Sequence, residues 1–380
     1  MQTGEIRLHN DTLVDFENYV LTRGIPLPPG AVSEPDGVSI RDEDGKALPA
    51  RGKVLQRRPD GSIEWLLMDV LVDLKGDENR SIYVAPESAE PPPVENMVEV
   101  RETDTSVVLS NGLSEVTVAR TGRSLLRTVT VEGTTLVGSE QVVDLEVLDG
   151  GGKLYRAGLD SERNISITHR NPLRATVKIE GTHVARDGSS FLDFALRLTL
   201  TAGCPDVELE HTFYCREDRE GRIPVNAMRL VVPTMMDQDS EKLLRQLHHG
   251  HAWFPRGVRI EENVEVVSSS VSDIDNYRGE IEGPGVSHPT AGGQVFLRNA
   301  DSLEEDWSEY PFHMRPGQRS QFRAAHSVGG IRRVQPVVGW VGEGCTVVTA
   351  FEHWRQLHPK SVAIREDTLT YGIWPEWADP

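Results

Sequence analysis

Two stretches with alternating apolar residues decide the fold class of this chain: Phe191-Leu-Asp-Phe-Ala-Leu-Arg-Leu-Thr-Leu-Thr201 and Val207-Glu-Leu-Glu-His-Thr-Phe-Tyr214. Alternation with a period of two is typical of a strand with one buried face. It places two sets of side chains on shared faces: Phe194, Leu196, Leu198 and Leu200 in the first stretch, and Val207, Leu209 and His211 in the second. The short loop Ala202-Gly-Cys-Pro-Asp206 between them predicts an antiparallel hairpin.

Strand-like runs punctuated by Gly, Asn or Asp extend over most of the chain and predict an all-β fold. The clearest boundary is Ala85-Pro-Glu-Ser-Ala-Glu-Pro-Pro-Pro93, because consecutive prolines favour an extended spacer. We therefore predict a small N-terminal β-barrel-like domain over residues 1–84, a Pro-rich linker over 85–97 and a large antiparallel β-sandwich over 98–380. Only Ser240–Leu247 shows the spacing of a short helix.

The small domain contains two specific motifs, Arg23-Gly-Ile-Pro-Leu-Pro-Pro-Gly30 and Arg58-Pro-Asp-Gly-Ser-Ile-Glu-Trp65. Proline fixes φ and removes a backbone donor, so the first motif must be extended or turning. The sequence Pro59-Asp60-Gly61 is typical of a tight turn. The flanking runs Lys53–Arg57 and Ile63–Leu74 therefore predict a hairpin.

These motifs resemble the N-terminal barrel of the exo-rhamnogalacturonan lyase and YetA-like family, which opens with an R-G-x-P-x-P-x-G turn and an R-x-P-D-G-S-x-x-W strand. The matching positions are Arg23, Gly24, Pro26, Pro28, Gly30, Pro59, Asp60, Gly61, Ser62 and Trp65. Near the other end, Phe351–Trp354, Pro359-Lys360 and Gly372–Trp377 resemble the segment that closes the family's central sandwich. The resemblance implies a polysaccharide lyase that cleaves galacturonosyl–rhamnose linkages by β-elimination at a uronate.

In that family a C-terminal helical toroid follows the sandwich, and this sequence resembles only the first two of the three parts. The chain is therefore interpreted either as the non-toroid part of a longer enzyme or as a two-domain relative. Two alternatives remain open: a non-catalytic carbohydrate-binding or scaffolding portion of a longer carbohydrate-active enzyme, and a glycoside hydrolase with a similar sandwich.

Charge and composition limit the partners. The formal net charge of −19, from 40 basic and 59 acidic residues, argues against a nucleic-acid partner. No apolar stretch approaches the roughly 18 residues of a membrane span, and residues 1–22 lack the apolar core of a secretory signal. Cys204, Cys215 and Cys345 cannot all pair within one chain, which favours a reduced, cytoplasmic protein. Secretion stays open if a signal was removed.

The densest cluster of reactive side chains is His248-His249-Gly-His251, followed by Trp253 and Arg256. In an extended segment His249 and His251 would point the same way, as they do in a metal-binding strand. No further ligand at diagnostic spacing accompanies them, so we predict no metal and no cofactor. The cluster is interpreted as a cleft wall that faces an oligo- or polysaccharide, or as an ordinary polar loop.

β-Elimination requires a group that neutralises the uronate carboxylate, a base that takes the C5 proton and an acid for the departing oxygen. Two loops offer such groups, Tyr277-Arg278 and Tyr310-Pro-Phe-His-Met-Arg315. We predict catalytic roles for His249, His251, Tyr277 and Arg278, and substrate-binding roles for His248, Trp253, Arg256, Tyr310, His313 and Arg315. The structural alternative is that these histidines are ordinary sandwich residues and that the Tyr–Arg pairs only stack.

Overall fold

The computed structural model describes residues 4–10, 15–215, 224–236, 241–248, 251–252, 258–260, 264–268, 295–299, 335–342, 345–350 and 361–374. These residues form strands β1–β27 and two short 3-10 helices, Pro35–Gly37 and Ala157–Leu159, and they contain no α-helix. The predicted all-β fold is confirmed. Within the described ranges, no helix has the length and apolar character needed to cross a bilayer.

The N-terminal part forms two three-stranded antiparallel sheets around one core. Its strands are β1 (Gly4–His9), β2 (Phe16–Pro26), β3 (Ser39–Arg41), β4 (Ala50–Arg57), β5 (Ile63–Leu74) and β6 (Asn79–Ala85). The strand orders are β1-β6-β3 and β2-β5-β4. The core consists of Ile25, Leu27, Val38, Ile40, Ile63, Leu66, Met68, Val70, Val72, Leu74, Ile82 and Val84. Burying each such side chain contributes roughly 1.5–3 kcal/mol.

The predicted hairpin of β4 and β5 is confirmed, with Arg57 opposite Ile63 in the register. The turn is held by Asp60, whose Oδ1 accepts hydrogen bonds from the backbone amide of Ser62 at 2.9 Å and from its Oγ at 2.6 Å. Gly61 adopts a φ of +84°, which glycine tolerates far better than other residues. Local turn chemistry therefore determines this register.

A five-stranded sheet forms one side of the sandwich, in the order β11-β10-β9-β8-β7. Its strands are β7 (Glu99–Glu102), β8 (Ser106–Ser110), β9 (Ser114–Ala119), β10 (Leu126–Val131) and β11 (Thr134–Val137).

The other side of the sandwich is a large antiparallel sheet. Its first strands are β12 (Asp144–Asp149), β13 (Leu154–Arg156), β14 (Asn164–Arg170), β15 (Arg174–Val184), β16 (Ser190–Thr201), β17 (Glu208–Tyr214) and β18 (Val225–Pro233). The order is β17-β16-β15-β13-β12-β18, and β14 also pairs with β15. This order brings residues that are far apart in the chain side by side across the sheet.

The remaining strands extend this sheet and form a second one. They are β19 (Glu241–His248), β20 (His251–Ala252), β21 (Val258–Ile260), β22 (Val264–Ser268), β23 (Val295–Asn299), β24 (Gln335–Gly342), β25 (Cys345–Ala350), β26 (Ser361–Arg365) and β27 (Thr368–Trp374). The large sheet continues from β18 through β27, β26 and β22 to β23, whereas β20-β19-β24-β25 form another sheet, in which β21 also pairs with β19.

The predicted hairpin of β16 and β17 is confirmed, with Leu198 opposite Leu209. Phe194, Leu196, Leu198 and Leu200 are buried and belong to the core between the two sheets of the sandwich, together with side chains of β8, β9, β12 and β15. Leu209 shares their face but remains 38% exposed. The first stretch therefore lies in the core, and β17 lies at the margin of its sheet.

The helix predicted over Ser240–Leu247 is wrong, because residues Glu241–His248 form strand β19. This strand pairs antiparallel with β24, from Glu241 opposite Val341 to Leu247 opposite Gln335. An isolated segment of this length cannot hold a helix by itself. Pairing with a strand from a distant part of the chain decides its conformation instead.

Candidate functional site

The ten site residues predicted from the sequence lie almost entirely outside the described residues. His249, Trp253, Arg256, Tyr277, Arg278, Tyr310, His313 and Arg315 are outside them. For the other two the backbone is described: β19 ends at His248, β20 begins at His251, and these two residues are register partners in an antiparallel pair. The roles assigned to these ten side chains stay predictions.

The described part of the chain contains no group of three or more His, Cys, Asp or Glu side chains arranged to hold a metal ion. Cys204 and Cys215 are free. The chemistry that this part of the structure offers therefore comes from two clusters of polar and ionisable side chains.

The first cluster lies where the N-terminal sheet β2-β5-β4 meets the sandwich. We call Thr22, Asp69, His169, Asn171 and Arg174 the junction cluster. Thr22 is the register partner of Asp69 in the pair β2–β5. The other three residues belong to β14, to β15 and to the turn between them. The cluster thus joins the two parts of the chain through side chains.

Hydrogen bonds to one carboxylate organise the junction cluster. The Oγ1 atom of Thr22 donates to Oδ1 of Asp69 at 2.6 Å. The Nδ2 atom of Asn171 donates to Oδ2 at 2.7 Å, and Nε2 of His169 lies 2.6 Å from the same oxygen. Arg174 donates through Nη1 to Oγ1 of Thr22 at 3.0 Å. Asp69 thus has a partner for each oxygen although its side chain is fully buried.

These bonds decide the charge of Asp69. Burial alone would raise its pKa, but hydrogen bonds from His169, Thr22 and Asn171 outweigh burial and hold the pKa of Asp69 below its ordinary value. The carboxylate is therefore ionised at neutral pH. Because Asp69 is an acceptor, the hydrogen between it and His169 lies on Nε2 of the imidazole.

A β-bulge sets the direction of His169. The pairing of β14 with β15 shifts between Ile167 and His169, so that His169 lies opposite Thr176. Ile167 packs against the core of the sandwich. One extra residue in a strand turns the following side chain to the other face. The bulge at Thr168 therefore directs His169 away from the core and toward Asp69.

The second cluster lies on the face of the large sheet that points away from its core. Alternation along β12, β13, β15, β16 and β18 gives this polar face the residues Asp144, Glu146, Arg156, Thr176, Lys178, Glu180, Thr182, Asp193, Arg197, Thr199 and Arg229. At its centre, Glu146 is the register partner of both Arg156 and Arg229. Their Nε atoms donate to its two oxygens, at 2.9 Å from Arg156 and 2.8 Å from Arg229.

Asp144 lies two residues before Glu146 on the same strand. Burial raises the pKa of Asp144 to about 7, and the negative charge of Glu146 adds to this effect. A hydrogen bond from the backbone amide of Gly158, 2.7 Å from Oδ1, acts in the opposite direction without overcoming burial. A carboxyl group of this kind exchanges its proton near neutral pH.

Lys178 and Arg197, which also lie on the polar face, form ion pairs with carboxylates. Lys178 lies 2.5 Å from Glu180, and Arg197 lies 2.7 Å from Glu210. Across these strands the polar face alternates in charge, and it offers hydrogen-bond donors and acceptors to a polar ligand such as a saccharide.

The residues of neither cluster were predicted from the sequence. Asp69 does carry a local signal, because it interrupts the apolar run Ile63–Leu74. A carboxylate inside such a run needs partners when the strand is buried. His169 and Asn171 carry no comparable signal, because their role depends on a strand that is about 100 residues away in the chain.

Comparison with known proteins agrees with this architecture. The model of the PcRGLX-like protein central beta sandwich domain matches residues 98–286, a range that contains β7–β22. The chain is also similar to the uncharacterized protein YetA of Bacillus subtilis (strain 168), with 25% identity over 209 residues, which are 53% of this chain. The match covers 24% of the length of YetA.

Proposed function

From the match of its central sandwich to the PcRGLX-like domain and from its similarity to YetA, we propose that this chain acts as a polysaccharide lyase or as part of one. The proposed substrates are rhamnogalacturonan-type pectic saccharides, cleaved by β-elimination at a uronate. The observation that carries the proposal is the match of the sandwich at residues 98–286.

Elimination leaves a C4–C5 double bond conjugated to the uronate carboxylate, and this bond absorbs ultraviolet light. The test is to incubate the chain with rhamnogalacturonan oligosaccharides, follow the absorbance and identify the products by mass spectrometry. Unsaturated products support the lyase. Cleavage without a double bond indicates the glycoside hydrolase, because hydrolysis adds water across the broken bond.

Within this proposal the catalytic groups are His249, His251, Tyr277 and Arg278, with substrate contacts from His248, Trp253, Arg256, Tyr310, His313 and Arg315. The first variants to assay are His249→Ala and Tyr277→Phe, each expected to lower kcat about 100-fold or more if it removes a proton-transfer group. His9→Ala and Tyr19→Phe are matched controls, because both parent residues are exposed on the N-terminal part of the chain. Unchanged rates in the first two variants would exclude these roles.

The second candidate is a non-catalytic carbohydrate-binding portion of a longer enzyme. One observation favours it: on the polar face Lys178, Arg197, Arg156 and Arg229 already bind carboxylates of the chain itself. Such cations are less free to neutralise a uronate, whereas the face as a whole still offers polar contacts to a sugar. Saturable binding of oligosaccharides in calorimetry, with no products after long incubation, would support this candidate over the lyase.

A further inference from the structure

The junction cluster combines three features that a proton-transfer site needs: an ionised carboxylate, an imidazole held by it, and positive charge beside them. Asp69 is fully buried, whereas the His169 side chain keeps 9% of its surface exposed. The pair is therefore closed on the Asp69 side and reaches solvent on the imidazole side.

The hydrogen bond to Asp69 defines which nitrogen of His169 can react. Since Nε2 carries the hydrogen that Asp69 accepts, at 2.6 Å, the other ring nitrogen, Nδ1, carries a lone pair. A carboxylate that orients an imidazole and stabilises its protonated form is the arrangement by which histidine acts as a general base. Asn171 donates to the same oxygen of Asp69 and restrains its orientation.

Positive charge is concentrated next to this pair. Arg51 is the register partner of Asp69, and Lys53 follows two residues later on the same face of β4. The Nζ atom of Lys53 donates to the backbone oxygen of Thr168 at 2.6 Å, directly before His169 in the chain. Arg170, the next residue after His169, lies on the opposite face of β14 and donates to the backbone oxygen of Val100.

Two of these cations lack a carboxylate partner within the described part of the chain. Arg51 donates to the backbone oxygen of Ala50, and Lys53 donates to that of Thr168. The pair of Arg174 with Glu208 is long, at 3.9 Å. In a chain with a net charge of −19, unbalanced positive charge at one place indicates an anionic ligand there.

We propose that His169 is the proton acceptor of a β-elimination at the junction, with Asp69 as its positioning residue and with Lys53 receiving the carboxylate of the uronate. This inference rests on the lyase function proposed above and competes with a base in the histidine-rich segment at 248–251, since with His169 as the base His249→Ala is expected to retain kcat.

The step balances as follows. Nδ1 of His169 takes the C5 proton, and the electron pair of the C5–H bond becomes the C4–C5 double bond. The C4–O bond breaks with its electrons on the departing oxygen, which takes a proton from water. The imidazolium, hydrogen-bonded to Asp69, returns its proton to solvent. Lys53 stabilises the charge that develops on the uronate carboxylate when C5 loses its proton.

The test compares His169→Gln with Gly203→Ala in the full chain. Glutamine keeps an N–H that can donate to Asp69 but has no basic nitrogen. At Gly203, where φ is +70°, an added Cβ would lie 2.9 Å from Cβ of Asn18. This substitution therefore disturbs the contact between the N-terminal part and the sandwich without changing a residue of the junction cluster. We expect His169→Gln to lower kcat about 100-fold or more with KM within a few-fold, and Gly203→Ala to retain kcat.

A second variant keeps the test decisive if His169→Gln fails to fold. Lys53 is exposed, so Lys53→Ala leaves the core intact. We expect this variant to raise KM for uronate oligosaccharides about tenfold, which corresponds to about 1.4 kcal/mol of lost binding free energy. Wild-type kcat in folded His169→Gln, an equal loss in Gly203→Ala, or an unchanged KM in Lys53→Ala would each overturn the role of the junction while leaving the lyase proposal intact. If the unmodified chain forms no double bond, both proposals are overturned.

Discussion

The carboxylate of Asp69 and the imidazole of His169 lie 2.6 Å apart although 100 positions separate them in the chain. One belongs to the strand β5 that forms the centre of an N-terminal sheet, and the other to the strand β14 of the sandwich. Their contact makes the position of one part depend on the folding of the other. Contacts of such sequence separation cost more loop-closure entropy than contacts within a local hairpin.

Asp69→Asn is the first variant whose stability tests this relationship. The new amide would place N–H groups against the donors of Thr22, His169 and Asn171 at a fully buried position. Removing one partner of a buried charged network costs about 3–5 kcal/mol, so we expect a loss of unfolding free energy of this order in urea denaturation. The matched control is Asp73→Asn on the same strand, because Asp73 is exposed and its backbone partner Asn18 can donate to an amide oxygen equally well. Equal losses in both variants would contradict the prediction.

The pH dependence of stability provides a separate test of Asp69. Its pKa is lower in the folded chain than in the unfolded chain, so its contribution is present above the ordinary pKa of Asp and is lost as pH falls through the folded value. We expect the parent chain to lose stability in this acidic window and Asp69→Asn to lose less there. Denaturant midpoints measured from pH 5 down to pH 2 would show the difference, and parallel curves would rule it out.

Sequence patterns predicted the parts of this fold that depend on neighbouring residues. The hairpins β4–β5 and β16–β17 follow from alternation and from turn chemistry such as that of Gly61, which are local properties. Strand β19 was not predicted, because its partner β24 begins almost a hundred residues later. The junction cluster was not predicted for the same reason, and only Asp69 had a local signal. The extent of each domain stays a prediction.

Asp144 is expected to destabilise the chain as pH rises. Its pKa is raised from 3.8 to about 7 by burial. Between these values the unfolded chain releases a proton that the folded chain keeps, so stability falls as pH increases from about 4 to about 7. Asparagine has a similar shape, and its oxygen can accept the hydrogen bond from Gly158. We therefore expect Asp144→Asn to be more stable than the parent at pH 8 and nearly equal to it at pH 4, in paired denaturation curves. A variant that is less stable at pH 8 would show that the ionised carboxylate is needed.

His183 is expected to lower the stability of the folded chain as pH falls, whereas Asp144 lowers it as pH rises. Its side chain is fully buried, Nδ1 lies 2.7 Å from the backbone oxygen of Leu192, and Nε2 has no hydrogen-bond partner. Burial lowers its pKa from 6.5 to about 4. The stability that depends on neutral His183 is present above pH 6.5 and is lost as pH falls toward 4. We expect His183→Leu to flatten the stability curve between pH 6.5 and pH 4, a window that lies above the one assigned to Asp69. An unchanged slope in this window would contradict the prediction.

Gly158 is a position where any side chain is excluded by backbone atoms. A Cβ at this residue would lie 1.9 Å from the backbone oxygen of Arg123 and 3.0 Å from Oδ2 of Asp144. The clash involves main chain on both sides, so no rotamer change relieves it, and overpacking of this kind costs at least about 1–3 kcal/mol. We expect Gly158→Ala to lower the melting temperature by several degrees or to prevent folding.

The control is Gly4→Ala, where the added Cβ would make ordinary contacts with Val84 at 3.8 Å. Circular dichroism melting curves of the two variants compare them directly, and a stable Gly158→Ala chain would show that the 3-10 helix at Ala157–Leu159 can move away from the loop of Arg123.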